Sequence, residues 1–443
     1  MSDPSLTEGL VALLARPISA ADRRRAALHL LDWIGCAAAG AASEAGAVFR
    51  DHAARQPWGA ARVFLGARNT ARDAAFANGA FGNVLEMDDL HREAILHPGP
   101  VVIPAALAVA TERGTGGHAL LDAMLRGYEA MIRIGRAAGR THYERFHPTA
   151  TVGGFGSAAA CASLLGLNAE RTAWALGNAG TAAGGVWQCR HEPVMTKQFH
   201  TARAAALGLE AAQLAAAGLT GPRYILEGRQ GVFNGLAPDA RPDRLLATPD
   251  EPWLMHATSF KPWPACRHAH AAVDAALALR PQVGGRAIAA IRVESYADAL
   301  AFCDRAAPRS VIEAKFSLQH AVAVALHEGK PPLLAFELPA IASPELAALR
   351  ARTTLVEDPS FTRAYPFHFG SAVEITLADG TVLHESVPDA LGDPENPLSD
   401  DAILVKATML LGSAGVARPD TVIAAALAMA EDAPVSRLND ALP

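Results

Sequence analysis

Several kinds of protein are excluded by what this chain lacks. No apolar run approaches the ~20 residues that a membrane-spanning helix requires, so no membrane partner is expected. A basic excess is also missing: 39 Lys and Arg stand against 45 Asp and Glu, a net charge of −6 with His neutral. A general nucleic-acid binder needs a basic face, so nucleic acid is not an expected partner. The five cysteines, Cys36, Cys161, Cys189, Cys266 and Cys303, are odd in number and form no C-x-x-C pair. They read as reduced thiols, and their spacing matches none of the short runs that hold an iron–sulfur cluster. The opening MSDPSLTEGL lacks the basic and then apolar regions of a secretory signal. Together these features predict a soluble, cytoplasmic protein.

What the chain has is length and alanine. At 443 residues it exceeds what one hydrophobic core usually supports, so two domains are expected. Apolar residues make up 51% and charged residues 19%, a globular balance. Alanine's helix propensity and small side chain favour closely packed helices. Ser19, with Asp22 three residues on, predicts a capped helix start, and Leu28, Leu31 and Ile34 follow at helical spacing. Helical periodicity recurs near 72–87, 103–113, 118–138, 155–166, 169–177 and 198–217, with no strand signal of comparable strength before about residue 285. Residues 236–258 are rich in Pro and Asp and lose this pattern, which marks the approach to a boundary. Beyond it, 287–296 reads as a strand and 311–327 as a helix. Val373, Ile375 and Leu377 then alternate before an Asp379-Gly380 turn and a second strand at 381–387. The tail returns to helix from Ser399. The expected fold is mainly α: a helical domain at 1–258 completed by 396–443, and a smaller α+β domain at 259–395.

Ionisable residues gather in four places. The first is Glu86 to His91 (EMDDLH, with Asp88 and Asp89), followed by His97-Pro98-Gly99. The second is His147-Pro148-Thr149, leading to Gly153-Gly154-Phe155-Gly156. The third is Arg190-His191-Glu192 with Lys197 and His200. The fourth is Lys261 to His270 (KPWPACRHAH, with Arg267 and His268). Each alone has a structural explanation. Asp88 and Asp89 would cap a helix, His97-Pro98-Gly99 would be a loop, and Lys197 and His200 would solvate a helix. The glycines follow no strand, so they read as helix-packing positions and not as a dinucleotide fingerprint. The recurrence of histidine and cations beside helices that must pack together is what points to a site. Asp88, Asp89, His91 and His97 are legitimate zinc ligands, but their spacing matches no zinc motif, so metal-free acid–base work is expected.

In this order the four clusters resemble the signatures of the MmgE/PrpD family, which includes 2-methylcitrate dehydratase, cis-aconitate decarboxylase and iminodisuccinate epimerase. The resemblance runs from LLDWIGCAAAG at 30–40 to about residue 390. It is most specific in LHPGPVVIPAALA at 96–108, HPTATVGGFGSAAA at 147–160 and TKQFHTARAAALGLEAAQLAAAGLTGP at 196–222. It implies a large helical domain made from both chain ends, a smaller α+β domain and a homodimer. It also implies that His97, His147 and His270 are active-site histidines, that Lys197 is a catalytic or substrate-binding lysine, and that Asp88 and Asp89 form the acidic cluster. Two departures stand out. Leu90 replaces a threonine common in the family. Phe302 stands where decarboxylase-like members place a tyrosine, with Tyr296 six residues earlier.

The reactions of such a family build negative charge beside a carboxylate, which cationic donors must stabilise. Lys197 and Arg267 suit that role, and His97 and His147 suit general base and acid. His200, Lys261 and His268 complete the expected substrate-binding set with Asp88, Asp89 and Arg267. The reading that follows is a lyase of the 2-methylcitrate dehydratase kind, acting on a small polycarboxylic acid without metal or redox cofactor. Epimerisation of the iminodisuccinate type is the alternative, then decarboxylation. A non-catalytic helical binding protein that keeps the fold is the reading from another class.

Overall fold

A computed structural model describes residues 4–192 and 194–443. It is mainly helical with a smaller α+β part. The chain divides into two compact units. The first comprises Met1–Val84, Asp88–Thr258 and Ser399–Pro443; the second comprises Leu85–Met87 and Ser259–Leu398.

The helices of the first unit are α1 (Leu6–Leu14), α2 (Ala20–Ala42), α3 (Glu44–Ala53), α4 (Ala71–Gly82), α5 (Gly99–Arg113), α6 (Gly117–Ala138), α7 (Arg140–Arg145), α8 (Pro148–Leu164), α9 (Ala169–Thr181), α10 (Thr196–Ala216) and α11 (Val232–Leu236). A hairpin of β1 (Ala61–Arg62) and β2 (Arg68–Asn69) lies between α3 and α4. Ser19 caps α2 reciprocally with Asp22, as the sequence predicts. The buried middle of the unit is α8, packed against α5, α6, α9 and α10. Glycine makes that packing close. A Cβ on Gly208 would lie 2.0 Å from Ser157 Oγ and 2.3 Å from the Ala158 nitrogen, so α10 can approach α8 only without one. Gly153, Gly154 and Gly156 are indeed inside α8 and serve helix contact.

Two helix boundaries differ from the periodicity. The helix expected to 87 ends at Gly82, because Asn83 to Met87 turn away with Glu86 at φ 57. Helix α8 begins at Pro148 instead of 155; proline at the first position has its φ pre-set and no N–H to lose. The tail supplies helices Asp400–Ser413 and Pro419–Leu427, and the first of these packs on α2. No single helix among the described residues is long and apolar enough to cross a membrane.

The second unit holds α12 (His270–Val283) and a sheet of β3 (Ile288–Ser295), β4 (Thr353–Glu357), β5 (Ser371–Leu377) and β6 (Val382–Val387) in the order β4-β3-β5-β6. β3 runs parallel to β4 and antiparallel to β5, which pairs antiparallel with β6 across the Gly380 turn. Ile291, Val293, Val373 and Ile375 are buried, and α12 packs on β5 and β6. The helix expected over 311–327 is split into Val311–Lys315 and Leu318–His327, because Ser317 caps the second part by accepting from His320 N–H.

Candidate active site

In the first unit the predicted residues sit where three helices begin. His97 lies two residues before α5, His147 is the N-cap residue of α8, and in α10 Lys197 is in the first turn with His200 just after it. The starts of these helices are close together. The His97 N–H donates to Thr149 Oγ1 on α8 at 3.1 Å, and His147 Nδ1 lies 3.2 Å from His200 Nδ1. A helix N-terminus carries a partial positive charge, so three of them together favour an anion, although at α5 the Gly99 N–H is already taken by Asp89. A lysine in the first turn of α10 opposes the helix dipole and adds to the same positive field, which a purely structural surface residue has no reason to do.

His97 is held by its neighbours. Its Nδ1 is 3.0 Å from Asp88 Oδ2 and 2.9 Å from the Asp89 carbonyl, both acceptors, so the ring carries its proton on Nδ1. Asn83 Nδ2 donates to the same Asp88 oxygen at 2.7 Å. Nε2 of His97 has no protein partner among the described residues, which leaves its lone pair for chemistry. Asp89 instead anchors the scaffold. It accepts from Gly99 N–H at 2.9 Å and from the Tyr128 hydroxyl at 2.7 Å, with His29 Nδ1 at 2.8 Å. Burial pushes its carboxyl up to about 6, with the Tyr128 hydrogen bond opposing.

His147 stacks on Trp187 with ring centroids 4.3 Å apart. Burial holds its pKa well below the ordinary histidine value, and Lys197 and His200 push the same way. Burial lowers His200 to about 4, aided by Lys197 and Arg203. The two rings are therefore neutral at pH 7, and one donates through Nδ1 while the other accepts. Helix α2 carries a buried charge pair, Asp32 with Lys406 of the tail at 2.6 Å, near enough to Asp88 and Asp89 for their charges to act on Asp32. His91 has its Nδ1 accepting from Ala94 N–H at 3.3 Å inside a turn closed by pairing with Leu96, so it shapes the loop.

The fourth cluster lies in the second unit. Lys261 Nζ is fully buried, donates to the Glu86 carbonyl at 3.1 Å and lies 3.5 Å from Glu86 Oε2. Arg267 is 2.5 Å from Asp393 and donates to the Leu391 and Ala390 carbonyls. Both were natural candidates to grip a substrate carboxylate; in the structure their charges are balanced within the unit, and they hold the chain in place. The resemblance lends His270 a catalytic role, but its Nδ1 accepts from Arg267 and its Nε2 donates to the Ala265 carbonyl at 3.0 Å. With both nitrogens engaged it positions Arg267. His268 differs: it shares a 2.5 Å hydrogen bond with the Tyr296 hydroxyl and stacks on Phe369. The Phe302 ring is 5.2 Å from His268. Tyr296, six residues before the position where a tyrosine is expected, thus brings its hydroxyl to the same histidine.

Asn83, Tyr128 and Trp187 carry no local signal that would single them out, and Thr149 stands in the His147-Pro148-Thr149 segment without a role assigned to it. A polar side chain in an apolar helical stripe, such as His29 or Asp32 on α2, is the one clue the sequence offers. Metal ligands do not gather at the predicted set. Among the described residues, the group with three ligand atoms within 4.8 Å is the partly exposed His368, Asp389 and Glu395.

The helical unit brings the starts of α5, α8 and α10, an Asp–His pair and a lysine into one neighbourhood. Residues 6–245 match the MmgE/PrpD N-terminal domain and 263–431 the MmgE/PrpD C-terminal domain. The chain belongs to the MmgE/PrpD family and is a lyase-type enzyme. It is 30% identical to a Homo sapiens cis-aconitate decarboxylase over 341 residues, 74% of this chain and 70% of that one. An Aspergillus terreus cis-aconitate decarboxylase is 29% identical over 88% of this chain and 85% of its own length. A Cupriavidus necator 2-methylcitrate dehydratase is 31% identical over 52% of this chain and 50% of its own.

Proposed function

We propose that the chain is a lyase acting on a small polycarboxylic acid by proton transfer at carbon next to a carboxylate, with no metal or redox cofactor. The observation that carries this reading is the Asp88–His97 pair, which leaves Nε2 as a base beside three helix N-termini and Lys197. His97 Nε2 takes the proton from carbon. The charge that develops on the adjacent carboxylate meets the Lys197 ammonium and the positive ends of the helix dipoles, which are in place before reaction. When His147 accepts at Nδ1 its own proton is on Nε2, where it donates to a leaving hydroxyl. These groups are sufficient for elimination of water from a 2-methylcitrate-like hydroxy acid.

Decarboxylation of an aconitate-like acid is the second reading. Two observations favour it: relatives named for that reaction extend over 70% and 85% of their own lengths, and the Tyr296 hydroxyl stands beside His268 where Phe302 lacks one. The test is incubation in deuterium oxide with citrate-like and aconitate-like acids, read by NMR for deuterium at carbon, loss of water and loss of CO₂. Deuterium incorporation that survives exhaustive chelation supports the proposal. Absence of exchange and turnover with every polycarboxylate, or activity lost on chelation and restored by a divalent ion, overturns it.

A further inference from the structure

A cavity of about 590 Å³ lies within the second unit and shares no lining residue with the candidate site. Arg280, Arg286, Arg352 and His327 line it, over an apolar floor that includes Ile288 and Leu349. Its size falls in the range of small-molecule sites. We propose that it binds a small multivalent anion bearing phosphate or carboxylate groups.

The arginines stand at two helix ends, Arg280 and Arg286 at that of α12 and Arg352 at that of Pro344–Ala351. Arg280 is in the last turn of α12, which stops at Gly284 with φ 58. Its Nε and Nη2 donate to the carbonyls of Leu326 and His327, at the end of the helix Leu318–His327. Arg286 donates from Nε and Nη2 to Val283 and Gln282. Arg352, the C-cap residue of the helix Pro344–Ala351, donates from Nη1 to Ala348. These bonds satisfy helix-end carbonyls, and capping alone would account for each arginine taken singly. It does not account for three of them around one cavity. A guanidinium has more donors than the chain's acceptors use here, and the capping bonds fix each fork in advance. That arrangement suits planar, bidentate recognition of carboxylate or phosphate. The acid nearest these groups is Asp379, 3.5 Å from Arg286 Nη1 and exposed.

Isothermal titration of the full chain with pyrophosphate and, separately, with the saturated tricarboxylate tricarballylate tests this. One-to-one binding is expected, weakened at least tenfold in Arg280→Gln/Arg352→Gln. Ala287→Glu leaves every capping bond in place while adding a negative charge to the lining, so it should weaken binding even where the arginine variant misfolds. The tighter of the two probes identifies the source as phosphate-bearing or polycarboxylate. No binding of either at millimolar concentration overturns the proposal. So does binding that is unchanged by Ala287→Glu but lost in Lys197→Ala, which would assign the anion to the candidate active site.

Discussion

Asp88 Oδ2 lies 3.0 Å from His97 Nδ1 and is itself held by Asn83. The carboxylate fixes the tautomer of the imidazole, so the two residues act as a unit. His97→Asn keeps hydrogen bonding but cannot titrate, and should lower kcat by ~10²–10⁴-fold, the usual loss for a general base. Asp88→Asn should lower kcat on the order of tenfold or more, with KM changed less. Steady-state rates for both variants, alongside circular dichroism to verify folding, check this; rates within a few-fold of the parent would remove the pair from the mechanism.

Lys197 is half-buried in the first turn of α10. Lys197→Ala should raise KM and lower kcat together, the latter by ~10²–10³-fold, because the ammonium meets a carboxylate in the ground state and greater charge later. Unchanged kcat with raised KM would limit it to binding.

The Asp32–Lys406 pair is buried on both sides. Removing one partner leaves an unpaired buried group, so Lys406→Met should cost ~3–5 kcal/mol. The double variant Asp32→Asn/Lys406→Met should recover part of that loss in chemical denaturation. Additive losses would show that the two side chains do not stabilise one another.

Acid should destabilise the chain through its buried histidines. Burial lowers His200 and His320 to about 4 and His91 to about 3, and depresses His147 as well. A lowered folded pKa means the unfolded chain binds protons first. This stability is therefore complete above the ordinary value near ~6.5 and is lost as pH falls toward about 4. Asp32 and Asp89, raised to about 6, act in the opposite sense. The histidines outnumber them, so Tm should fall between pH 7 and 4.5. His320→Asn should make the fall shallower; an equal slope would remove His320 from the effect.

The long helices were legible because capping residues and apolar periodicity agree, as at Ser19, Asp22, Leu28 and Leu31. Helix α8 was seen only from 155 because Gly153 and Gly154 show no side-chain pattern; their information is close approach to α10, a tertiary property. The hairpin β1–β2 is two residues a strand, and β4 gains its identity from parallel pairing with β3, sixty residues away in sequence. At the candidate site, motifs marked His97, His147 and Lys197. They could not distinguish a histidine with an open nitrogen from His270, whose two nitrogens are both used. The partners Asn83 and Tyr128 look in sequence like ordinary helix residues, because what matters about them is where their donors point.

The first unit is begun by residues near the N-terminus and closed by 399–443, with the second unit inserted between. On the ribosome the inserted unit has its whole sequence available while the helical unit still lacks Lys406 and the surface that covers α2. Domains form as their residues emerge, so Asp32 waits for its partner until Lys406 has been made. The two halves of this charge pair are thus made far apart in time, and a nascent chain that has not yet reached Lys406 holds the candidate residues of the site without the ion pair that ties α2 to the tail.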